Sequence, residues 1–95
     1  MSDQFSRTEL LLGKEKMLRL FRSRVAVFGV GGVGGYVVEA LARSGIGALD
    51  IIDDDKVCLT NLNRQIIATR KTVGKHKVDV AEERIHDINL DCKVT

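Results

Sequence analysis

The sequence has no proline and only two cysteines, and each shortage removes a reading. Without proline there is no rigid linker signal to divide the 95 residues, a length that makes one small domain at most. Cys58 and Cys92 stand far apart without CxxC spacing and with few histidines to join them, so no zinc site is expected within these residues. They read as reduced, unpaired thiols. No apolar run approaches about 18 residues, so no membrane-spanning helix is encoded. Met1-Ser2-Asp3-Gln4 has neither the basic nor the apolar region of a secretion signal, and with the cysteine usage this predicts a cytoplasmic protein. A formal charge of +2 is too small to argue for a nucleic-acid groove from composition. Repeats and low-complexity tracts are missing as well.

What remains is ordinary for a soluble globular chain, with 44% hydrophobic and 29% charged residues. A chain this size buries only roughly 60–65% of its unfolded surface, so its core is marginal. One stretch organises it. Val25-Ala26-Val27-Phe28 leads directly into Gly29-Val30-Gly31-Gly32-Val33-Gly34-Gly35. Strand, glycine-rich turn and helix in that order form the phosphate-binding start of a nucleotide- or dinucleotide-binding fold. Glycines let the backbone approach a phosphate without a Cβ in the way. The amides opening the next helix then face the anion, and the helix dipole favours negative charge there.

The fold class that follows is α/β: a Rossmann-like, doubly wound, mainly parallel sheet with helices on both faces, preceded by two short helices. Thr8 to Arg22 carries Leu10, Leu11, Leu12, Met17, Leu18, Leu20 and Phe21, and reads as two amphipathic helices hinged near Gly13. They are expected to cover the sheet or a subunit interface. Val25 to Phe28 is apolar at consecutive positions, as in a parallel strand covered on both faces. The helix at about Val33 to Ser44 puts Val33, Val37, Ala40, Leu41 and Ser44 on one stripe, with Gly34 allowing close packing on the strand. Gly45 and Gly47 end it by tolerating positive φ. Leu49 to Ile52 is the second strand, and the crossover should be right-handed.

Asp53 to Thr72 has no clean period and is a long polar connection, of the kind that is functional or disordered. A last helix from Gly74 to about Asn89 buries Val78, Ala81, Ile85 and Ile88. Lys93-Val94-Thr95 reads as the opening of a third strand. Two complete strands cannot cover themselves. Residues 1–95 are therefore expected to be the N-terminal, nucleotide-binding part of a longer domain.

Two nucleotides fit the glycine loop. Asp53 lies 53 − 34 = 19 residues after the last glycine of the motif, at the end of the second strand, where a carboxylate binds the ribose of NAD. A dinucleotide needs little positive charge beyond the helix N-terminus. A triphosphate carries more negative charge, and its transfer chemistry leans on arginine, lysine and a metal ion. Asn61, Arg64 and Lys77 follow the acid in a loop and at a helix start, where they could reach phosphates.

GVGGVGG, then IIDDDKVCLTNLNRQ, then VGKHKV together resemble the ATP-binding half of the ubiquitin-activating-enzyme-like family, over roughly Arg7 to Thr95. That family includes the bacterial adenylyltransferases of molybdopterin and thiamine synthesis. Within it, ARSGIGALDIIDDDKVCLTNLNRQI is most similar to the tRNA threonylcarbamoyladenosine dehydratases, which use ATP to cyclise a modified adenosine. The resemblance implies ATP with Mg2+, adenylation of a carboxylate, and a homodimer. The carboxylate would belong to tRNA in the dehydratase branch and to the C-terminus of a ubiquitin-like sulfur carrier in the sister enzymes. It also places Gly29, Gly31, Gly32 and Gly34 beside the nucleotide, Asp53 on the ribose, and Asn61, Arg64 and Lys77 on the phosphates. Arg64 and Lys77 would stabilise charge as pyrophosphate leaves. Asp55 matches a second family acid that orders the loop, and Arg7 an arginine inserted into the partner subunit's site. The family's metal-binding aspartate is expected beyond Thr95, with no metal ligand inside the chain.

Plainer readings stand beside these. Asn61 could be a turn former, Lys77 an exposed lysine, and Arg7 an ordinary surface arginine. Asp54 and Lys56 read as solvated surface and Cys58 as loop packing. Neither His76 nor His86 has a partner in the pattern.

Overall fold

The computed structural model describes residues 3–95; Met1 and Ser2, the start of the stretch read for a secretion signal, lie outside the described residues. After a 3-10 turn at Asp3–Phe5 come helices α1 (Ser6–Leu12) and α2 (Lys14–Arg22), with Gly13 between them at φ 86°. Strand β1 (Arg24–Phe28), helix α3 (Gly32–Ser44) and strand β2 (Ala48–Ile52) follow. A long connection then leads to helix α4 (Lys77–Ile88) and strand β3 (Lys93–Val94). All pairing is parallel, in the order β1-β2-β3, with Val25 opposite Leu49 and Phe28 opposite Ile52.

Right-handed crossovers that advance in one direction across a sheet put their helices on one face. That is what this order yields. Val27, Leu49 and Ile51 are buried together with Val38 and Ala42 of α3 and Val80, Ala81 and Ile85 of α4. Glu39 of α3 joins the two helices by accepting from Arg84 of α4 at 2.6 Å. The opposite sheet face carries Ala26, Phe28 and Ile52, and Phe28 is 80% exposed. The Rossmann-like parallel α/β class is as expected; among the described residues the helices cover one face of the sheet, and β1 is buried on that face only, not on both. A doubly wound sheet covers its second face only after the chain crosses to the free edge of β1.

The apolar stripe of α3 also differs from the expected one. Gly35, Val38 and Ala42 are buried and Leu41 is half-buried, whereas Val33 is 81% exposed. The glycines set this rotation. A Cβ on Gly34 would lie 1.7 Å from the Gly29 carbonyl oxygen, and one on Gly35 would meet Ile66 at 3.2 Å. The side lacking side chains must therefore face inward. Gly45 does end the helix in the left-handed region, at φ 101°. Gly47 does not share that reason: a Cβ there would stand 1.8 Å from the Phe21 carbonyl oxygen, so it is a close-approach glycine between α2 and β2.

The leading helices anchor through Phe5 and Met17, both buried, rather than through their leucines. Leu10 and Leu11 are exposed and α1 buries nothing, so it does not cover the sheet. Helix α4 begins at Lys77, three residues later than expected, because Gly74 (φ 90°) turns the chain and Lys56 and His76 form a short antiparallel bridge first. Its buried stripe includes Val80, with Val78 and Ile88 only half-buried. The connection itself is ordered. Val57, Ile67 and Ala68 anchor it in the core, and a 3-10 turn at Leu59–Asn61 shapes its middle.

Candidate functional site

The site lies where β1 and β2 end. Gly29, at φ 89°, donates its N–H to the Ile52 carbonyl at 2.8 Å, so the turn leaves the sheet in register with β2. The chain then enters α3, whose first amides open towards the same edge. Asp53, directly after β2, holds this turn. Its Oδ2 accepts the Val30 N–H at 2.9 Å and its Oδ1 accepts the Asp55 N–H at 2.8 Å. Burial alone would raise the Asp53 carboxyl, but the two backbone donors and the charge of Lys77 outweigh it and hold it below its ordinary value. Asp53 therefore stays an anion and clamps the glycine turn to the end of β2, with each oxygen retaining a further lone pair. An open cleft of about 590 Å³ is lined by Gly29, Ile52, Asp53, Asp54 and Asp55.

Lys77 is the first residue of α4, where the dipole disfavours a cation, yet it is only 7% exposed. Its N–H donates to the Asp55 carbonyl at 2.9 Å, which pins the start of α4 beside the acidic turn. The exposed-lysine reading is thereby corrected. Its charge lowers the Asp53 carboxyl, and among the described residues no carboxylate lies within ion-pair distance of it.

Asn61 is buried, and its Oδ1 accepts the Cys58 N–H at 2.8 Å, so one end of this amide shapes the loop as a turn former does. Arg64 is exposed and folds onto its own loop, its Nη1 donating to the Thr60 carbonyl and to Asn63 Oδ1, each at 3.0 Å. Asp54 and Asp55 are exposed. One oxygen of each of the Asp53, Asp54 and Asp55 carboxylates lies within 4.8 Å of the others. Arg7 is exposed near Phe5, which packs at Gly45 at the far end of α3 from the glycine turn. At 1.5 Å per residue α3 is roughly 20 Å long, so Arg7 is not brought to the site of its own chain. Cys58 is exposed rather than packed, and Cys92 is buried, which pushes its thiol up.

The sequence reading passed over one residue here. Gln65 is 7% exposed, and its Nε2 would lie 3.5 Å from a Cβ on Gly31. Its Oε1 is buried without a partner among the described residues. Such an acceptor is costly unless something donates to it. ATP offers ribose hydroxyl and adenine amino donors. The glycine cradle and Lys77 as donors, with the orphaned Gln65 oxygen as acceptor, together fit a nucleotide. The pointer in the sequence was Gln65 at the end of NLNRQ, a polar residue running into Ile66-Ile67.

A parallel sheet, a glycine turn clamped by the acid after β2 and a lysine buried at the next helix start define a Rossmann-like nucleotide-binding fold. The model of the ThiF family matches residues 5–95, and the chain belongs to that family. It is 54% identical over 94 residues to the tRNA threonylcarbamoyladenosine dehydratase of Bacillus subtilis, covering 99% of this chain and 37% of that protein. The crystal structure of the Escherichia coli tRNA N6-threonylcarbamoyladenosine dehydratase in complex with ATP superposes with a TM-score of 0.96 at 47% identity, covering 99% of this chain and 40% of that one. An adenylyltransferase and sulfurtransferase of Culex quinquefasciatus is 39% identical over 94 residues, covering 97% of this chain and 22% of that protein. The chain thus spans little more than a third of the length of the dehydratases it matches. No helix among the described residues is long and apolar enough to cross a membrane.

Proposed function

We propose that residues 5–95 are the ATP-binding part of a single ThiF-type domain that adenylates a carboxylate, and that the carboxylate is the threonylcarbamoyl group of a modified adenosine in tRNA. The observation that carries the nucleotide is Lys77, buried without an ion-pair partner beside Asp53 at the mouth of the glycine turn. The dehydratase relatives, at about half identity, carry the substrate.

A carboxylate is a poor electrophile because its oxygens leave badly. Its attack on the α-phosphate of ATP expels pyrophosphate and gives an acyl-adenylate, from which AMP leaves readily. An internal nucleophile of the threonylcarbamoyl group then closes the ring, with net loss of water. The protein's part is to position reactants and neutralise developing charge. In this reading Gly29, Gly31, Gly32 and Gly34 admit the phosphates, and a free lone pair of Asp53 takes a ribose hydroxyl. Lys77 and the Asn61 Nδ2 meet phosphate oxygens. Arg64 swings from its loop contacts to stabilise departing pyrophosphate. Asp55 orders the turn through its N–H to Asp53.

Mg2+ neutralises triphosphate charge when bound, held by an acid outside residues 1–95. Arg7 belongs to a homodimer in which it reaches the partner's site, and the exposed Leu10 and Leu11 support such a contact. The protein works in the cytoplasm. A sulfur-carrier C-terminus is the second reading, favoured by the adenylyltransferase relatives, and an NAD-binding dehydrogenase domain the third.

AMP release from ATP by the protein in its full natural length separates the first two. Release with threonylcarbamoylated tRNA and not with a carrier protein is the expected result. Release only with the carrier would remove the tRNA reading.

A further inference from the structure

From Lys56 to Val78 the chain contains no aspartate or glutamate, yet it carries six lysines and arginines. The whole chain is +2, so +2 − 6 leaves −4 for the remaining residues. This run follows the three acids Asp53, Asp54 and Asp55 that open the connection between β2 and α4, and it ends in the first turn of α4. Elsewhere four cations are paired, Arg24 with Asp50, Arg43 and Arg84 with Glu39, and Arg19 with Glu15. Among the described residues no ion pair involves the connection. Arg70, Lys71 and Lys75 are all exposed on it.

These three side chains project from a braced frame. Thr72 Oγ1 takes the Thr69 N–H at 2.8 Å and bonds the Ile67 carbonyl at 3.0 Å, and the Lys75 N–H donates to the Thr72 carbonyl at 3.0 Å. The Gly74 N–H donates to the Val57 carbonyl and the Val57 N–H to the Lys75 carbonyl, each at 2.8 Å, and Ile67 and Ala68 are buried beneath the loop. Lys71 and Lys75 share a cleft of about 260 Å³ with Glu83, Arg84 and Asp87 of α4. Glu83 and Asp87 are exposed on the α4 side of this cleft, and Arg70 stands beside it on the loop. Both ends of the frame meet the candidate site, through the Lys77 N–H to Asp55 carbonyl bond.

We propose that Arg70, Lys71 and Lys75 form a docking surface for the phosphate backbone of tRNA. The inference rests on the tRNA reading above and deepens it. The loop that carries these cations is tied to the turn of Asp53 through Asp55 and Lys77, so a tRNA whose modified base reaches that turn would have its backbone near them. Unpaired cations on an ordered loop meet phosphates without first breaking ion pairs, and each phosphate neutralised releases counterions. Lysines and an arginine reading only backbone charge would add affinity without sequence preference.

The test is equilibrium binding of tRNA to the full-length protein across a salt series, for wild type and Arg70→Gln/Lys71→Gln/Lys75→Gln, with ATP binding measured on both. The expected result is at least a tenfold loss of tRNA affinity at low salt and a slope of log affinity against log salt shallower by about 2 to 3, with ATP affinity unchanged. A control, Lys14→Gln/Lys16→Gln/Arg22→Gln, removes the same charge from α2 and should leave the slope alone. Wild-type slope in the first variant, or an equal loss in the control, overturns the docking surface while the tRNA reading survives. A wild-type protein that binds ATP but no tRNA overturns both.

Discussion

Gln65→Leu should stabilise the free protein and weaken its hold on ATP. The side chains are similar in volume, and the change removes an acceptor that is buried without a partner. An unsatisfied buried polar group costs about 1–3 kcal/mol; allowing for the Nε2 end also lost, the free protein should gain roughly 1 kcal/mol. If a nucleotide N–H or O–H satisfies this oxygen, its loss costs about 1.4 kcal/mol of binding, or tenfold. Urea unfolding with and without ATP reads both at once. At an ATP concentration 100 times the wild-type Kd the ligand adds about 2.7 kcal/mol to wild type, and with a tenfold weaker Kd only about 1.4 kcal/mol. The variant should thus start higher and gain less. A variant that is destabilised when free and gains as much from ATP as wild type would refute the reasoning, because Gln65 would then be a structural residue.

Other perturbations separate the frame from the site. Gly34→Ala drives a Cβ to 1.7 Å from the Gly29 carbonyl oxygen and should cost about 3 kcal/mol or more, or prevent folding. Gly31→Ala meets only Gln65 at 3.5 Å, and should change stability by less than about 1 kcal/mol in thermal unfolding while still impeding phosphate approach. Glu39→Gln breaks the contacts of a largely buried carboxylate with Arg84 and Arg43 and should cost about 2 kcal/mol, discounted because Arg84 and Arg43 are partly exposed. The Glu39 carboxyl is held low chiefly by its hydrogen bond from Arg84, and Asp53 is low despite burial. A lowered folded value means the unfolded chain binds more protons in that window, so stability is present above the unfolded values near about pH 4 and is lost as pH falls below them. Acid titration of unfolding should show this loss, and Asp53→Asn together with Glu39→Gln should flatten it.

Much of this was legible in the residues because local chemistry decided it. Val25 to Phe28 before GVGGVGG could hardly be other than a strand entering a phosphate-type turn, Gly45 takes the positive φ its position predicted, and the helices break at Gly13 as expected. Asp53 falls at the end of β2 as its spacing required. What misled was counting the α3 stripe from its valines. The tightest constraint on that helix is the absence of side chains at Gly34 and Gly35, and contact with Gly29 and Ile66 fixes its rotation. Sheet coverage depends on strand order, which no single segment of sequence contains. Burial of Lys77 and Gln65 was hidden for the same reason: each is polar by composition and inside only because α4 and the connection close over the turn.

The account's central claim is that the glycine turn, Asp53 and Lys77 form an ATP site. The direct measurement is calorimetric titration of the full-length protein with ATP and with NAD, repeated for Lys77→Met. ATP should bind wild type and NAD should not. Lys77→Met should still fold, since an apolar chain of similar length takes the place of the buried lysine stem, while its ATP affinity falls by tenfold or more. Tight NAD binding without ATP binding, or undiminished ATP binding by Lys77→Met, would contradict the account.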